Sequence, residues 1–324
     1  MSDTNNIRHN LLIIGVGEAG SKITLDTIKE INSDYLLLNT KKNSKYITKN
    51  ITIDTLSWIN PSIYKIRESF INQLDKVLPF IDKYINIIII GNLASKFGIA
   101  IIPILTNILY QNKGKEIFSF VIMPFGFEKN KIFHSGTSLS FTTNFSNSTI
   151  VVDNNSFFKN NPELSIPECY RITNNAIKDI IISYCKKGFP NEFNVIATCK
   201  ESEKIEYAFS NSMSMLNDIN IKTIEKTFMI IYPAKEKIDK IDSIIKTIEK
   251  ITDNTENEVN IISDENNNLS KMHLVTKTNN LIFSSYDPLN KIISKDNILD
   301  FEPEINCNIK EISYLPDIEA KIIN

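Results

Sequence analysis

The fold is decided at residues 11–20, which read LLIIGVGEAG. The apolar run at 11–14 predicts a short buried strand, and residues 21–31 are typical of a helix. Gly15, Gly17 and Gly20 lie at the junction with the spacing G-x-G-x-x-G. Such a loop can present backbone N–H groups to an anion at a helix N-terminus. A tight β–α turn without a ligand has the same spacing, so both interpretations remain open.

Apolar runs and helical stretches continue to alternate as far as about residue 160. Strands are predicted at 35–38, 51–53, 87–90, 117–123 and 150–152, and helices at 62–84 and 98–111. Alternation of this kind is typical of an α/β fold with a parallel sheet. We therefore predict a doubly wound N-terminal domain of the nucleotide-binding type over residues 1–165.

A long central helix is predicted at 167–187, within a segment 166–190, because apolar residues recur there on one helical face. Beyond it, strands are predicted at 193–197, 207–209, 227–232, 260–263 and 272–275, with a helix at 238–251. These elements predict a smaller C-terminal α+β domain over residues 191–286. Residues 287–324 are predicted to be a tail.

Composition excludes several classes of protein. The chain is 42% hydrophobic and 23% charged, as in a globular protein, and its net charge of −2 gives no field that attracts nucleic acid. Four cysteines form no C-x-x-C pair and there are three histidines, so we expect no metal site. No secretory signal is recognised before the first strand, which makes the cytoplasm the expected location.

The long apolar stretch at 85–110 is interpreted as a buried strand, loop and helix. Lys96 lies near its middle and Pro103 interrupts it. A lysine at the centre of a membrane helix costs about 2.5–3.5 kcal/mol. We therefore expect no transmembrane segment here.

An NAD-dependent dehydrogenase would need an acidic residue at the end of the second strand to bind ribose. The chain has Asn39-Thr40-Lys41 at that point. This argues against NAD as the cofactor.

An ordered set of short motifs resembles the tubulin/FtsZ superfamily between about residues 10 and 285. Residues 12–20 resemble the family's first phosphate loop, I-G-V-G-G-x-G. The other matches are LNT at 38–40 for I-N-T-D, NPSI at 60–63 for N-P-E-I, PFGFE at 124–128 for P-F-x-F-E, and IVVDNN at 150–155 for I-V-I-P-N-D. The resemblance implies a GTP-binding fold whose subunits join head to tail in filaments.

The resemblance also implies which residues would contact GTP or GDP. They are Gly15, Gly17, Gly20, Asn39, Asn60, Ser95, Lys96, Gly98, Glu128 and Tyr170. Glu128 matches the family's ribose-contacting glutamate. Tyr170 falls near the position that contacts guanine, where we favour a structural role because tyrosine lacks the paired acceptors.

The chain departs from the family where the family's phosphate loop reads G-G-G-T-G-T-G. Residues 94–100 read ASKFGIA, in a chain with only 9 glycines among 324 residues. Phe97 and Ile99 replace hydroxyl residues, and Cβ atoms obstruct close backbone approach to a phosphate. Lys96 can partly compensate as a cation. The loop at 56–60 has also lost its glycines, and Trp58 there is interpreted as a packing or interface residue.

Hydrolysis in this family is completed by a loop of the next subunit, N-x-D-x-x-D, whose equivalent here lies at 188–195. No Asp occurs between Asp179 and Asp218, so Glu192 is the weak and sole candidate for a catalytic residue. A catalytic carboxylate must reach its water at about 2.6–3.2 Å, and Glu192 matches neither acidic position. We therefore expect no efficient hydrolysis.

The sequence is thus interpreted as an FtsZ-like cytoskeletal or cell-division protein that forms or regulates filaments, with GTP binding weakened or lost. It would self-associate head to tail through 94–100 and 188–200, or co-assemble with another FtsZ-like protein, and its tail would offer a site for an adaptor. Two alternatives remain. One is an active GTPase using Lys96, Glu128 and Glu192; the other is a non-polymerising module that binds another anion at 15–20.

Overall fold

The structure is a computed structural model that describes residues 10–40, 49–55, 60–187, 194–218, 224–234, 238–252, 257–262, 268–278 and 286. These residues belong to one compact unit, Met1–Pro288. The predicted tail at 287–324 lies outside the described residues, as do Trp58 and Glu192.

The strands of the described chain are β1 Leu11–Val16, β2 Asp34–Asn39, β3 Asn50–Thr52, β4 Asn86–Asn92, β5 Glu116–Met123, β6 Ser148–Asp153, β7 Val195–Thr198, β8 Lys226–Tyr232, β9 Glu258–Ile261 and β10 Lys271–Lys277. The helices are α1 Gly17–Ile28, α2 Ile63–Ile71, α3 Leu74–Ile81, α4 Lys96–Gln111, α5 Lys129–Asn144, α6 Asn154–Asn160, α7 Ile166–Lys187, α8 Ile205–Asp218 and α9 Ile238–Thr252. This mixed α/β architecture confirms the predicted fold class.

The ten strands form one sheet in the order β3-β2-β1-β4-β5-β6-β7-β10-β8-β9. The ladders from β3 to β7 are parallel, and β10 runs antiparallel to both of its neighbours. The order 3-2-1-4-5-6 is that of a doubly wound domain, in which the strand order reverses between β1 and β4. Ligands of such sheets bind at the carboxyl ends of the strands near this reversal.

Both faces of the sheet are buried, which explains why its strands are apolar runs rather than alternating patterns. On one face α1 and α7 pack against alternate strand residues such as Ile13, Ile88 and Phe120. The opposite face carries α2 to α6, α8 and α9, packed against Leu12, Ile14 and their equivalents. From Ala176 to Cys185 the central helix α7 therefore spans parallel and antiparallel parts of the sheet on this face, while Cys169 near its start belongs to the other core.

The single helix predicted at 62–84 is wrong, because the chain forms α2 and α3 with a turn at Asn72 and Gln73. The Gln73 amide donates to the Asp54 C=O at 3.0 Å and to the Ser69 C=O at 2.9 Å. This long-range contact with Asp54 stabilises the turn. It cannot be predicted from the apolar periodicity of residues 62–84, because Asp54 lies outside that segment.

The strand predicted at 207–209 is also wrong, since these residues lie in α8. The buried residues Ile205, Ala208, Ser212 and Met215 recur at helical spacing. Besides α8, the helices α5 and α6 are absent from the sequence-based prediction. The buried face of α5 includes Ser135, Gly136, Ser138 and Thr142, so its apolar period is weak.

The predicted apolar stretch at 85–110 forms β4, a short loop and the buried helix α4, as expected. Within the described ranges, no helix has the length and apolar character needed to cross a membrane. The predicted domain boundaries at 165, 190 and 286 stay predictions. The parallel ladder between β6 and β7 crosses the first two of them within one continuous sheet.

A buried polar network joins α7 to the antiparallel part of the sheet. Asp179 of α7 lies 3.2 Å from Nε2 of His273 and 2.8 Å from Nζ of Lys271. The other ring nitrogen of His273 lies 2.8 Å from the Thr198 hydroxyl. Burial lowers the pKa of His273. Burial also opposes ionisation of Asp179, but hydrogen bonding from His273 and the charge of Lys271 outweigh it and lower its pKa.

We expect the free energy of unfolding to decrease as the pH falls from 7.5 to 5. The unfolded chain takes up a proton at His273 near its ordinary pKa of about 6.5, whereas the native state resists that proton. Urea unfolding at several pH values measures this loss. His273→Gln should show a smaller loss, and the exposed His134→Gln should behave as wild type. Equal pH slopes in His273→Gln and wild type would contradict this assignment.

Candidate functional site

The structure gathers most of the predicted site residues at the carboxyl ends of β1, β2, β4 and β5. The first loop follows β1, Asn39 ends β2, and the 92–98 segment connects β4 to α4. Asn60 reaches the same region through a 2.7 Å hydrogen bond to Lys96. The turn at 124–128 follows β5, and Tyr170 of α7 packs against Phe125 of that turn.

The three glycines of the first loop have different physical roles. A Cβ at Gly20 would overlap the Ile90 C=O, and a Cβ at Gly15 would lie 2.7 Å from the Thr24 hydroxyl oxygen. Gly17 has space for a Cβ but a φ of +72°, which L-residues rarely adopt. Gly15 and Gly20 are therefore required by packing within the protein.

The N-terminus of α1 begins directly at this loop. Val16 precedes the helix and provides no side-chain cap for its first N–H groups. The first turn also carries Glu18, an exposed carboxylate. Helix N-termini attract anions through free N–H groups and the helix dipole, so the N-terminus of α1 is suited to bind an anion. The carboxylate of Glu18 next to it would repel that anion.

Asn39 braces the first loop from the end of β2. In the amide orientation that satisfies its polar neighbours, its nitrogen lies 3.2 Å from the Gly17 C=O and its oxygen 3.0 Å from the Ser21 hydroxyl. Asn39 is therefore occupied by contacts within the protein.

The second loop, at 92–98, satisfies its own polar groups. The Ser95 hydroxyl donates to the Asn92 C=O at 2.8 Å and accepts from the Gly98 N–H at 2.9 Å. A Cβ at Gly98 would overlap the Asn92 C=O. Ser95 thus caps α4, and a phosphate would compete with it for the Gly98 N–H.

Phe97 closes the space between the two loops. Its side chain is 9% exposed, and its Cδ1 lies 3.6 Å from the position that a Cβ on Gly17 would take. Where the resembled family has glycine and hydroxyl residues, this chain therefore places a buried aromatic ring against the first loop.

Lys96 is an exposed cation at the start of α4. Its Nζ lies 2.7 Å from Oδ1 of Asn60, a residue with the left-handed φ of +49°. Because the Asn60 amide is neutral, it orients Lys96 without cancelling its charge. Lys96 therefore retains the ability to pair with an anion.

Glu128 is held by its own turn. Its Oε2 accepts from the Phe125 N–H at 3.1 Å, and its Oε1 pairs with Nζ of Lys131 at 2.6 Å. Both carboxylate oxygens thus have donors inside the chain.

Tyr170 is half-buried against the same turn. Its ring meets Phe125 edge-on at 5.2 Å. Burial raises the pKa of the Tyr170 hydroxyl, so this group stays protonated at neutral pH. Tyr170 thus packs against the 124–128 turn, and its structural role stays a prediction.

The end of β6 contributes residues that were not nominated from the sequence, although 150–155 was noticed as a motif. Asn155 Oδ1 accepts from the Gly126 N–H at 2.8 Å, which ties α6 to the 124–128 turn. Asp153 is buried and caps α6 by accepting from the Asn155 N–H at 2.8 Å. Asn154 is fully buried, and its amide has no hydrogen-bond partner among the described residues.

A loop that acts in trans was predicted at 188–195; its residues 188–193, which include Glu192, lie outside the described residues, as do residues 56–59. The predicted contact between 94–100 and 188–200 therefore stays a prediction. Across the described part of the chain, no group of three His, Cys, Asp or Glu residues is placed to hold a metal ion.

Comparison with solved structures gives the class of fold. An empty FtsZ dimer from M. jannaschii aligns with a TM-score of 0.68 at 16% identity, covering 86% of this chain and 91% of that one. CetZ from Methanosaeta thermophila aligns with a TM-score of 0.65 at 15% identity, covering 89% and 92%. No protein-family model and no curated protein sequence matches the chain.

A third solved structure extends the comparison. CetZ2 from Haloferax volcanii, a GTPγS-bound protofilament, aligns with a TM-score of 0.62 at 15% identity and covers 89% of this chain and 99% of that one. Together these alignments confirm that the chain has the tubulin/FtsZ fold, over 86–89% of its length. The resemblance found in the motifs is thus confirmed for the fold.

We expect alanine substitutions at Gly17 and Gly20 of the first loop to lower the free energy of unfolding by different amounts, because the two glycines have different physical roles. Gly20→Ala places a methyl group on a backbone carbonyl and should lower the free energy of unfolding by about 3 kcal/mol. Gly17→Ala adds only backbone strain and should cost about 1–2 kcal/mol. Urea unfolding measures both values. A cost for Gly17→Ala equal to or above that for Gly20→Ala would show that the packing assignment is wrong.

Proposed function

We propose that this chain is a divergent FtsZ-like filament subunit, in which GTP binding is weakened or lost and hydrolysis is absent. It assembles head to tail, alone or with another FtsZ-like protein. The observation that carries this proposal is the close approach of Phe97 to Gly17 of the first loop, next to the self-capped start of α4, in a chain with the tubulin/FtsZ fold.

The assembly part of the proposal draws support from the solved structures. One of them is a dimer and another is a protofilament, and this chain spans most of both. Head-to-tail contacts use two different surfaces of one subunit and generate open filaments. The fold retained here supplies the scaffold for such surfaces.

The proposed weakening of GTP binding is supported by polar groups of the site that already have partners within the chain. A GTP phosphate at the second loop would have to displace the Ser95 hydroxyl from the Gly98 N–H, and a phosphate beside Gly17 would meet Phe97. Glu128 would have to leave Lys131 to reach a ribose hydroxyl. The residues present thus fit GTP poorly, and we derive no hydrolytic step from them.

Two observations favour the alternative of a functional GTP-binding subunit. The N-terminus of α1 has no side-chain cap, and the charge of Lys96 is not cancelled by Asn60. An anion between them would gain both interactions. In that case Lys96 would be the main cation of the phosphate site.

Calorimetric titration of GTP, GDP and GTPγS into nucleotide-free protein tests the proposal. We expect no saturable binding, or binding weaker than about 100 μM, and no phosphate release above background. Any residual binding should weaken about tenfold or more in Lys96→Gln, because one charged contact is lost. Lys113→Gln is the matched control, since this exposed lysine lies beyond the opposite end of α4.

Micromolar binding with steady phosphate release, abolished by Glu192→Ala, would replace this proposal with the functional GTPase. Saturable binding of a different anion, without polymer, would favour the non-polymerising module. The proposal also includes a role in cell division and a cytoplasmic location. The titrations do not test these two, which stay predictions.

A further inference from the structure

Tyr286, which follows β10 in the chain, docks at the far side of the candidate site. It is 3% exposed, and its hydroxyl oxygen lies 2.8 Å from the Pro124 C=O and 2.8 Å from Oδ1 of Asp153. Its own C=O packs against Gly136 of α5 so closely that a Cβ there would overlap it. One residue thus contacts the ends of β5 and β6 and the middle of α5.

These contacts belong to one connected set of hydrogen bonds. Pro124 opens the turn that carries Glu128, and Asp153 accepts from the Asn155 N–H while it caps α6. Asn155 in turn accepts from the Gly126 N–H. The Tyr286 hydroxyl therefore lies at the base of a path that leads to the backbone of the 124–128 turn.

The bonds of Tyr286 to Pro124 and Asp153 are buried, which makes them costly to leave unmade, while the bonds of Asn155 to Asp153 and Gly126 are partly buried. Burial raises the pKa of Tyr286, so its hydroxyl remains a donor at neutral pH. Burial also raises the pKa of Asp153, whose carboxyl group is sheltered from solvent. Two polar groups in this setting hold each other in place more strongly than they would at the surface.

We propose that Tyr286 is a positioning residue that couples its own contact with Gly136 of α5 to the 124–128 turn. The same contact sets the place of the chain at Tyr286 and the geometry of the turn that bears Glu128. Coupling of this kind is reciprocal, so a ligand or partner that moves either end shifts the other. Only the description of the turn as part of a ligand site rests on the proposed function.

Hydrogen exchange of the full-length, nucleotide-free protein tests the coupling. In Tyr286→Phe the ring remains and the hydroxyl is lost. We expect the amides of Phe125, Gly126 and Asn155 to exchange about tenfold faster, while the amides of β8 and β10 keep their wild-type rates. Tyr207→Phe, at an exposed tyrosine of α8, is the matched control and should change none of them.

Gly136→Ala is a second variant, which disturbs the packing of the Tyr286 backbone against α5. Its methyl group displaces the Tyr286 C=O without touching the hydroxyl, and we expect the same three amides to exchange faster. Ser140→Ala on the same helix controls for a mutation in α5. Faster exchange confined to the chain around residue 286, or equal acceleration over the whole sheet, in both variants would overturn the proposal.

This result is separate from the proposed function, because the exchange experiment uses no nucleotide and no polymer. Unchanged exchange at the 124–128 turn would overturn the coupling and leave filament assembly untouched. Conversely, a protein that never polymerises can still show the coupling.

Discussion

The close approach of α1 and α4 to the carboxyl ends of β1 and β4 is the constraint on which the structure depends. Gly20 leaves no room for a Cβ against the Ile90 C=O, and Gly98 leaves none against the Asn92 C=O. Both glycines place a helix start directly on the sheet at the reversal of strand order, where a doubly wound fold binds ligands. The scarcity of glycine in this chain thus has a structural pattern. Glycines that the protein's own packing requires remain, whereas the 94–100 loop has lost those that the resembled family uses to approach phosphate.

That pattern connects the fold to the proposed function. Ser95 caps α4 and Phe97 is buried next to it, in the segment where the resembled family has its phosphate loop. These two features support the proposal that GTP binding is weakened or lost. A fold of this class can then persist as an assembly scaffold while its nucleotide chemistry is reduced. Lys96 and the uncapped start of α1 are the parts of the site that remain suited to an anion.

Much of the fold could be predicted because its signals are local. The run at 11–14 and the glycines after it are sufficient to place β1 and α1, and apolar runs place the strands up to β6. The prediction failed where structure depends on distant contacts or on weak periodicity. The break at Gln73 is made by Asp54, and α5 buries serine, threonine and glycine rather than an apolar stripe. In the site, sequence identified Gly20, Lys96 and Glu128 but not their partners. The Tyr286–Asp153 contact joins positions that no short motif links.

The central claim is that this chain assembles through its fold rather than through nucleotide turnover. Electron microscopy and pelleting of protein stripped of nucleotide, alone and mixed with an FtsZ-like partner, test it most directly. We expect filaments whose amount is unchanged when GTP or GDP is added. Filaments that form only with GTP and disassemble as it is hydrolysed would contradict it, as would the absence of any filament under all of these conditions.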